Sequence, residues 1–269
     1  MSLHFTDDER RTLPATFDRA AEDYDRTRPV CPAALFDDLL AVAGLSAGDR
    51  VLEIGPGTGQ ATIPLAERGL AVTGIEPGAA LAAIARRRLA GFPSARVVTS
   101  TFEAWPPEGG PFDAVVAVNC LHWIEPALRY RKPAEVLRDG GHFAVASTLW
   151  ATAPDAERFW ADVQEDYGAA GFEGGPPPLP DAIEPWHLPP EAEPFFEEVA
   201  ARTYPSFRRV YSAEEYLAQL GTQSGPAQLG EERRAEFLAR VRRRLAGWPR
   251  VTATFVPRVT VGRRTYSGM

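Results

Sequence analysis

From residue 49 to about 148, short aliphatic or β-branched runs alternate with longer helix-forming stretches, the rhythm of repeated βαβ units. Strands are predicted over 50–54, 71–75, 96–99, 113–118 and 142–147, and helices over 60–67, 78–89 and 127–138. Pro77 stands where the first turn of a helix tolerates it, and Asp139-Gly140-Gly141 marks a turn. The run Asp113-Ala114-Val115-Val116-Ala117-Val118 is apolar throughout after its first residue, as a strand covered on both faces should be. Such a series folds as a doubly wound parallel sheet with right-handed crossovers.

Beyond residue 150 the pattern changes. A helix is predicted over 153–167, followed by a stretch from Gly174 to Pro194 with eight prolines, which can form neither a regular helix nor a central strand. Strand character returns at 207–211 and leads into a helix from Ala213, with Glu214 and Glu215 in its first turn. A long charged helix over 231–248 places Phe237, Leu238, Val241, Leu245 and Trp248 on one face, and a last strand is predicted over 252–261. The arginines of that helix (Arg233, Arg234, Arg240, Arg242, Arg243, Arg244) read as a solvated face balanced by glutamates rather than as an anion site. The seven predicted strands suit one sheet interrupted by a lid. The expected organisation is an N-terminal helical cover (1–46), a cofactor-binding core (47–148), a helical and proline-rich lid insertion (149–205), and C-terminal helices with the last strands (206–269).

Composition narrows the function. The chain has 269 residues, 45% hydrophobic and 24% charged, and a formal net charge of −7, which gives no long-range attraction to nucleic acid or an anionic bilayer. No apolar run approaches the roughly 20 residues of a membrane helix. Cys31 and Cys120 make neither a disulfide framework nor a zinc spacing, so no metal is expected. The start, MSLHFTDDER, lacks the basic and apolar regions of a secretory signal, and a cytoplasmic location is expected. The 25 prolines and 23 glycines concentrate in the stretch just described and in turns, and Lys132 is the only lysine.

The segment Glu53-Ile54-Gly55-Pro56-Gly57-Thr58-Gly59 carries the chemistry, because alternating glycines between a buried strand and a helix permit a tight turn and close approach of a ligand. Glu76, 21 positions beyond Gly55, ends the next strand, where a carboxylate can accept both ribose hydroxyls of an adenosine. A dinucleotide site calls for GxGxxG, but here the spacing is GxGxG with Gln60 following, which disfavours NAD and FAD. Glu53 before the turn suits a cation, and the helix N-terminus after it suits one carboxylate.

E-x-G-x-G-x-G after the first strand, an acid ending the second and a final strand after a late helix resemble the class I S-adenosylmethionine-dependent methyltransferases. The segments 17–29 (FDRAAEDYDRTRP) and 119–123 (NCLHW) are similar to the branch containing trans-aconitate methyltransferase and other small-molecule methyltransferases. The resemblance implies a Rossmann-like, mostly parallel seven-stranded sheet with an antiparallel last strand. It implies that Gly55, Gly57 and Gly59, with Pro56, Thr58 and Gln60 between and after them, face the methionine part of the cofactor, while Glu53 holds its amino group directly or through water. Glu76 would bind the ribose and Pro77 flank the adenine. Thr101 stands where this family often has an aspartate for the adenine amino group, a departure that leaves backbone groups of Phe102 and Glu103 to substitute. Asn119 would border the sulfonium, and Tyr24 and Arg28 would close over the cofactor.

The activity so implied is in-line transfer of a methyl group to a small-molecule acceptor, a carboxylate or a hydroxyl, leaving S-adenosylhomocysteine. His122 is the candidate proton acceptor and Tyr24 a candidate substrate contact. Trp123 and Trp150, which follow the fourth and fifth strands, are candidate pocket walls, and the insertion is the expected substrate cover. Two rivals are an NAD-dependent oxidoreductase and a non-catalytic protein that only binds the cofactor.

Overall fold

Two-residue alternation along the parallel strands divides their side chains between two buried faces. In the computed structural model, which describes residues 6, 9–10, 14–172 and 175–265, one face of the sheet gathers Leu52, Ile54, Ile75, Val115, Ala117, Phe143 and Val145. The other gathers Val51, Val72, Ala114, Val116, Ala144 and Ala146. The opening residues 1–5 and Gly174, where the proline-rich stretch is predicted to start, lie outside the described residues.

The strands are β1 (Arg50–Ile54), β2 (Ala71–Glu76), β3 (Arg96–Thr99), β4 (Phe112–Val118), β5 (Leu137–Ala151), β6 (Phe196–Thr203), β7 (Phe207–Ser212) and β8 (Arg250–Arg264). Their order is β3-β2-β1-β4-β5-β8-β6, with β7 also paired to β8. Strands β1 to β5 are parallel, and β8 runs antiparallel to β5, β6 and β7. The doubly wound α/β sheet is therefore present, with eight strands where seven are expected. The additional strand is β6, whose sequence Phe-Glu-Glu-Val-Ala-Ala-Arg-Thr has the composition of an exposed helix. Pairing along β8, with a register shift between Glu198 and Ala200, makes it an edge strand.

Helices α1 (Pro14–Arg19) and α2 (Ala21–Thr27) precede α3 (Ala33–Ala43), whose Leu35, Phe36 and Leu39 are buried against the second face and which ends on Gly44 at φ 63°. Helices α4 (Thr62–Glu67), α5 (Ala79–Arg88) and α6 (Arg131–Val136) follow β1, β2 and β4. The predicted 127–138 helix shortens to α6 because Pro133, which has no N–H, belongs in a first turn. The predicted turn at 139–141 is a distortion within the long β5, with Gly140 at φ 68°.

The C-terminal part adds α7 (Phe159–Asp162), α8 (Gln164–Ala169), α9 (Ala213–Gly221), α10 (Ser224–Ala227) and α11 (Glu231–Leu245). Ser212 and Glu215 start α9 with a reciprocal capping box. These helices pack with β7 and the first half of β8 around Phe159, Tyr211, Tyr216, Phe237 and Phe255. Four of the six α11 arginines are spent locally: Arg244 pairs with Asp166 and Glu165, Arg240 with Asp166, and Arg233 and Arg234 donate to the carbonyls of Ala170 and Gly221.

The segment 149–205, expected as a lid, is built into the fold over much of its length. Its ends are strand, within β5 and as β6; between them α7 and α8 pack in the C-terminal core, and residues 178–188 lie against β5 and β8. Ile183 packs on Ala151 and Val256, Trp186 and Leu188 pack on the first core face, and the Thr260 hydroxyl donates to the Trp186 carbonyl. The proline-rich stretch thus covers part of the sheet through Ile183, Trp186 and Leu188.

Candidate functional site

The carboxyl ends of β1, β2 and β4 meet at the cavity where the glycine turn begins. Gly55 and Gly57 adopt φ of 62° and 60°, and Gly59 φ of 92°, a region that costs other residues energy. Space is as demanding as conformation: a Cβ on Gly55 would lie 2.9 Å from Cys120 Cβ, and one on Gly57 would lie 3.2 Å from Cε1 of Tyr24.

Glu76 ties this turn to the next strand. Its carboxylate accepts the Gly57 N–H and the Gly78 N–H, each at 2.9 Å. Burial pushes the carboxyl above its usual range, and the two backbone bonds oppose the shift. Two of roughly four acceptor positions on an ionised carboxylate are used, which leaves capacity for hydroxyl donors.

A cavity of about 610 Å³ opens here, within the range of small-molecule and cofactor sites. Of the predicted site residues, Tyr24, Arg28, Gly55, Gly57, Glu76, Pro77, Thr101, Phe102, Glu103, Asn119, His122 and Trp123 line it. Pro56, Thr58, Gly59 and Gln60 build the turn without reaching the wall, and Gly74 on β2 makes room for Pro56, whose Cγ is 2.8 Å from where a Cβ would sit.

Glu53 is also off the wall, so direct contact with a ligand's amino group is not what the structure shows. The side chain lies buried, accepts the Thr62 hydroxyl at 2.6 Å, and is pushed up to about 8 by burial, so it holds its proton at neutral pH. Trp150 is likewise displaced from the predicted pocket. It packs in the C-terminal core against Phe255 and Trp160, with ring centroids 4.7 and 5.7 Å apart.

Asn119 is the one non-glycine among the described residues with positive φ, 55°. Its N–H donates to Ala146 O, and its Oδ1 accepts the Thr148 N–H at 2.8 Å, so the side chain fastens β4 to β5 and leaves a strained backbone at the cavity. His122 follows on a single helical turn, Leu121–Trp123. Burial lowers its pKa to about 4, with the nearby Arg129 and Arg28 charges adding to the shift, so the ring is neutral at pH 7.

The N-terminal helices close the opposite side. The Arg28 guanidinium stacks 4.8 Å over the Tyr24 ring and donates to the Thr222 carbonyl, while its Nε is buried with no hydrogen-bond partner among the described residues. Phe17 meets Trp123 edge-on with centroids 5.6 Å apart. Arg10, Cys120, Glu125 and Ser224 also line the cavity and are absent from the predicted site. Phe17 and Cys120 lie inside the two segments that carry the family resemblance. Ser224 carries no local signal, since only the folding of α10 against the cover brings it there.

The glycine cradle, the carboxylate at the end of β2 and the buried Arg28 Nε, unpartnered among the described residues, fit an adenosine ligand that also carries charged groups. Among the described residues no three His, Cys, Asp or Glu side chains converge as a metal site would require. Comparison with known proteins agrees with the fold and the glycine turn. Residues 51–141 match the model of a methyltransferase domain. An uncharacterized methyltransferase of Mycobacterium tuberculosis is 32% identical over 162 residues, covering 60% of this chain and 63% of that one, so the chain spans less than two thirds of this relative. An uncharacterized methyltransferase of Geobacillus thermodenitrificans is 32% identical over 161 residues, 58% of this chain and 71% of that protein. A solved structure from Anaeromyxobacter dehalogenans, a candidate type II methyltransferase, shares the fold with a TM-score of 0.58 at 24% identity, covering 88% of this chain and 97% of that one. The chain belongs to the class I S-adenosylmethionine-dependent methyltransferases.

Proposed function

We propose that this protein binds S-adenosylmethionine in the 610 Å³ cavity and transfers its methyl group to a small acid, with a carboxylate oxygen as the acceptor. The cofactor half of this reading rests on the glycine turn joined by backbone hydrogen bonds to Glu76 at the cavity wall. The cofactor supplies an electrophilic methyl on a sulfonium. The protein's own task is to align, to exclude water and to hold charge, and well-oriented approach can supply roughly 7–11 kcal/mol.

His122 favours one of the two acceptor chemistries. A hydroxyl or amine must lose a proton, and a buried imidazole whose pKa is about 4 is a poor base for it. A carboxylate needs no base. Arg10 and Arg28 line the same cavity as Phe17 and Trp123, alongside Glu76, Glu103 and Glu125, and their guanidinium groups suit the carboxylate of an acceptor with an apolar body. Arg129 donates to the carbonyls of His122 and Ile124 and fixes that turn. Tyr24, whose hydroxyl burial keeps protonated, is placed to donate to either ligand.

The acceptor is thus a small molecule rather than a nucleic acid or a membrane, and a net charge of −7 and two unpaired cysteines suit the cytoplasm. Calorimetry with S-adenosylmethionine, S-adenosylhomocysteine and NAD tests the cofactor: the first two bind and NAD does not, and NAD binding alone would support the oxidoreductase rival. Incubation with small carboxylic acids, phenols and amines, read by mass spectrometry, tests the acceptor. A base-labile methyl ester is expected; methylated phenols or amines refute the carboxylate, and binding without turnover leaves the non-catalytic rival.

A further inference from the structure

Of the 29 basic Lys and Arg residues, Lys132 alone is a lysine. Its side chain is buried, and its ammonium donates to three backbone carbonyls: Phe102 O at 2.5 Å, Trp105 O at 2.7 Å and Glu103 O at 2.9 Å. That uses every donor the group has. The Phe102 and Trp105 rings flank the same charge at 5.1 and 5.9 Å. A compact ammonium suits three converging carbonyls, whereas a planar guanidinium fork does not. A chain otherwise built with arginine has a physical reason to use lysine here.

The loop held in this way forms a wall of the cavity through Thr101, Phe102 and Glu103. Within it, Ala104 N–H donates to the Thr101 hydroxyl and Trp105 N–H to the Thr101 carbonyl. The N–H groups of Phe102 and Glu103 meet no acceptor among the described residues. Glu103 is fixed further, since its Oε1 accepts the Glu125 N–H at 3.0 Å.

We propose that Lys132 is a positioning residue for base recognition: by gathering the carbonyls of Phe102, Glu103 and Trp105 on one side, it leaves the Phe102 and Glu103 N–H groups as donors to the ring nitrogens of adenine. The proposal rests on the cavity being the S-adenosylmethionine site. Thr101, which carries no carboxylate, leaves the loop backbone to read the base.

The test is calorimetry of the wild type, K132R and K132M with S-adenosylhomocysteine and with S-inosylhomocysteine, whose base carries a hydrogen on N1 where adenine carries a lone pair. The wild type should prefer the adenine compound by about tenfold or more, as expected of a site built to hydrogen-bond its ligand. Both variants should lose most of that preference. A merely structural lysine would lower the melting temperature and leave the preference intact, and that result would overturn the proposal. Should the variants fail to fold, the wild type still decides: labelled in lysine, its one side chain gives one ammonium resonance, expected to move on saturation with S-adenosylhomocysteine and not with methionine. An unmoved resonance in the saturated protein would overturn the proposal. If the wild type binds neither nucleoside, the cofactor reading itself fails and this proposal falls with it.

Discussion

At the scale of single residues the site is governed by burial. Glu53 shows the effect most plainly: the unfolded carboxyl ionises near pH 4.5, while the folded one keeps its proton to about 8. Folded protein therefore binds more protons than unfolded protein across this window, and stability falls as pH rises through it. Glu53→Gln cannot ionise in either state and retains an acceptor for the Thr62 hydroxyl. Its melting temperature should match wild type near pH 4 and exceed it by several degrees near pH 8, and parallel curves would show that Glu53 is ionised in the fold. Gly57 carries the opposite demand, since φ of 60° and the Tyr24 ring 3.2 Å from a Cβ leave no room for a side chain. Gly57→Val should abolish binding of S-adenosylhomocysteine in calorimetry while the protein still folds. His122, neutral and weakly basic, should be dispensable for proton transfer: His122→Asn is expected to retain kcat within about tenfold with a carboxylic acceptor, below the 10²–10⁴-fold of a general base.

At the scale of elements, the cover and the core are joined by a cap that crosses between them. Helix α5 has Gly78 at its N-cap, which has no side chain to offer, and Asp18 of α1 accepts the Ala80 and Leu81 N–H groups at 2.7 and 3.1 Å. Gly78 must be small for this, because a Cβ there would meet Asp18 Oδ1 at 2.7 Å. Asp18→Ala should cost about 1 kcal/mol of stability in chemical denaturation, the scale of a lost N-cap. It should also speed proteolysis near residues 14–28, and an unchanged cleavage rate would show that the cap does not hold the cover. The other end of the cover is fastened by β7, where Tyr211 donates to Thr27 O at 2.9 Å and Arg209 to Arg28 O at 2.8 Å.

At the scale of the whole molecule, the two tryptophans predicted to line one pocket lie in different cores. Trp150 belongs with Trp160, Tyr216 and Phe255, and Trp123 with Phe17 at the cavity. Trp150→Ala should destabilise the fold by roughly 3 kcal/mol without changing the affinity of folded protein for S-adenosylhomocysteine. Trp123→Ala should raise the acceptor KM and leave thermal stability closer to wild type. Equal effects on KM from both would contradict this separation. The described residues contain no helix long and apolar enough to cross a membrane.

Local pattern was enough for β1, β2, β3 and β4, for the glycine turn and for the meeting of that turn with Glu76. Strand alternation, glycine at positive φ and the fixed length of one βαβ unit are properties of neighbouring residues, so the amino-acid sequence by itself determined the cofactor half of the site. Only the tertiary structure decided the rest. That Glu53 hides under the turn, that Trp150 leaves the pocket and that the proline-rich stretch around Ile183 and Trp186 packs on β8 depend on which distant surfaces cover them. The same holds for the opposite wall, where Arg10, Phe17 and Ser224 come together from chain positions more than 200 residues apart. Packing between distant segments is set by the total apolar area buried rather than by any local motif, so that half of the site becomes legible only once the chain is folded.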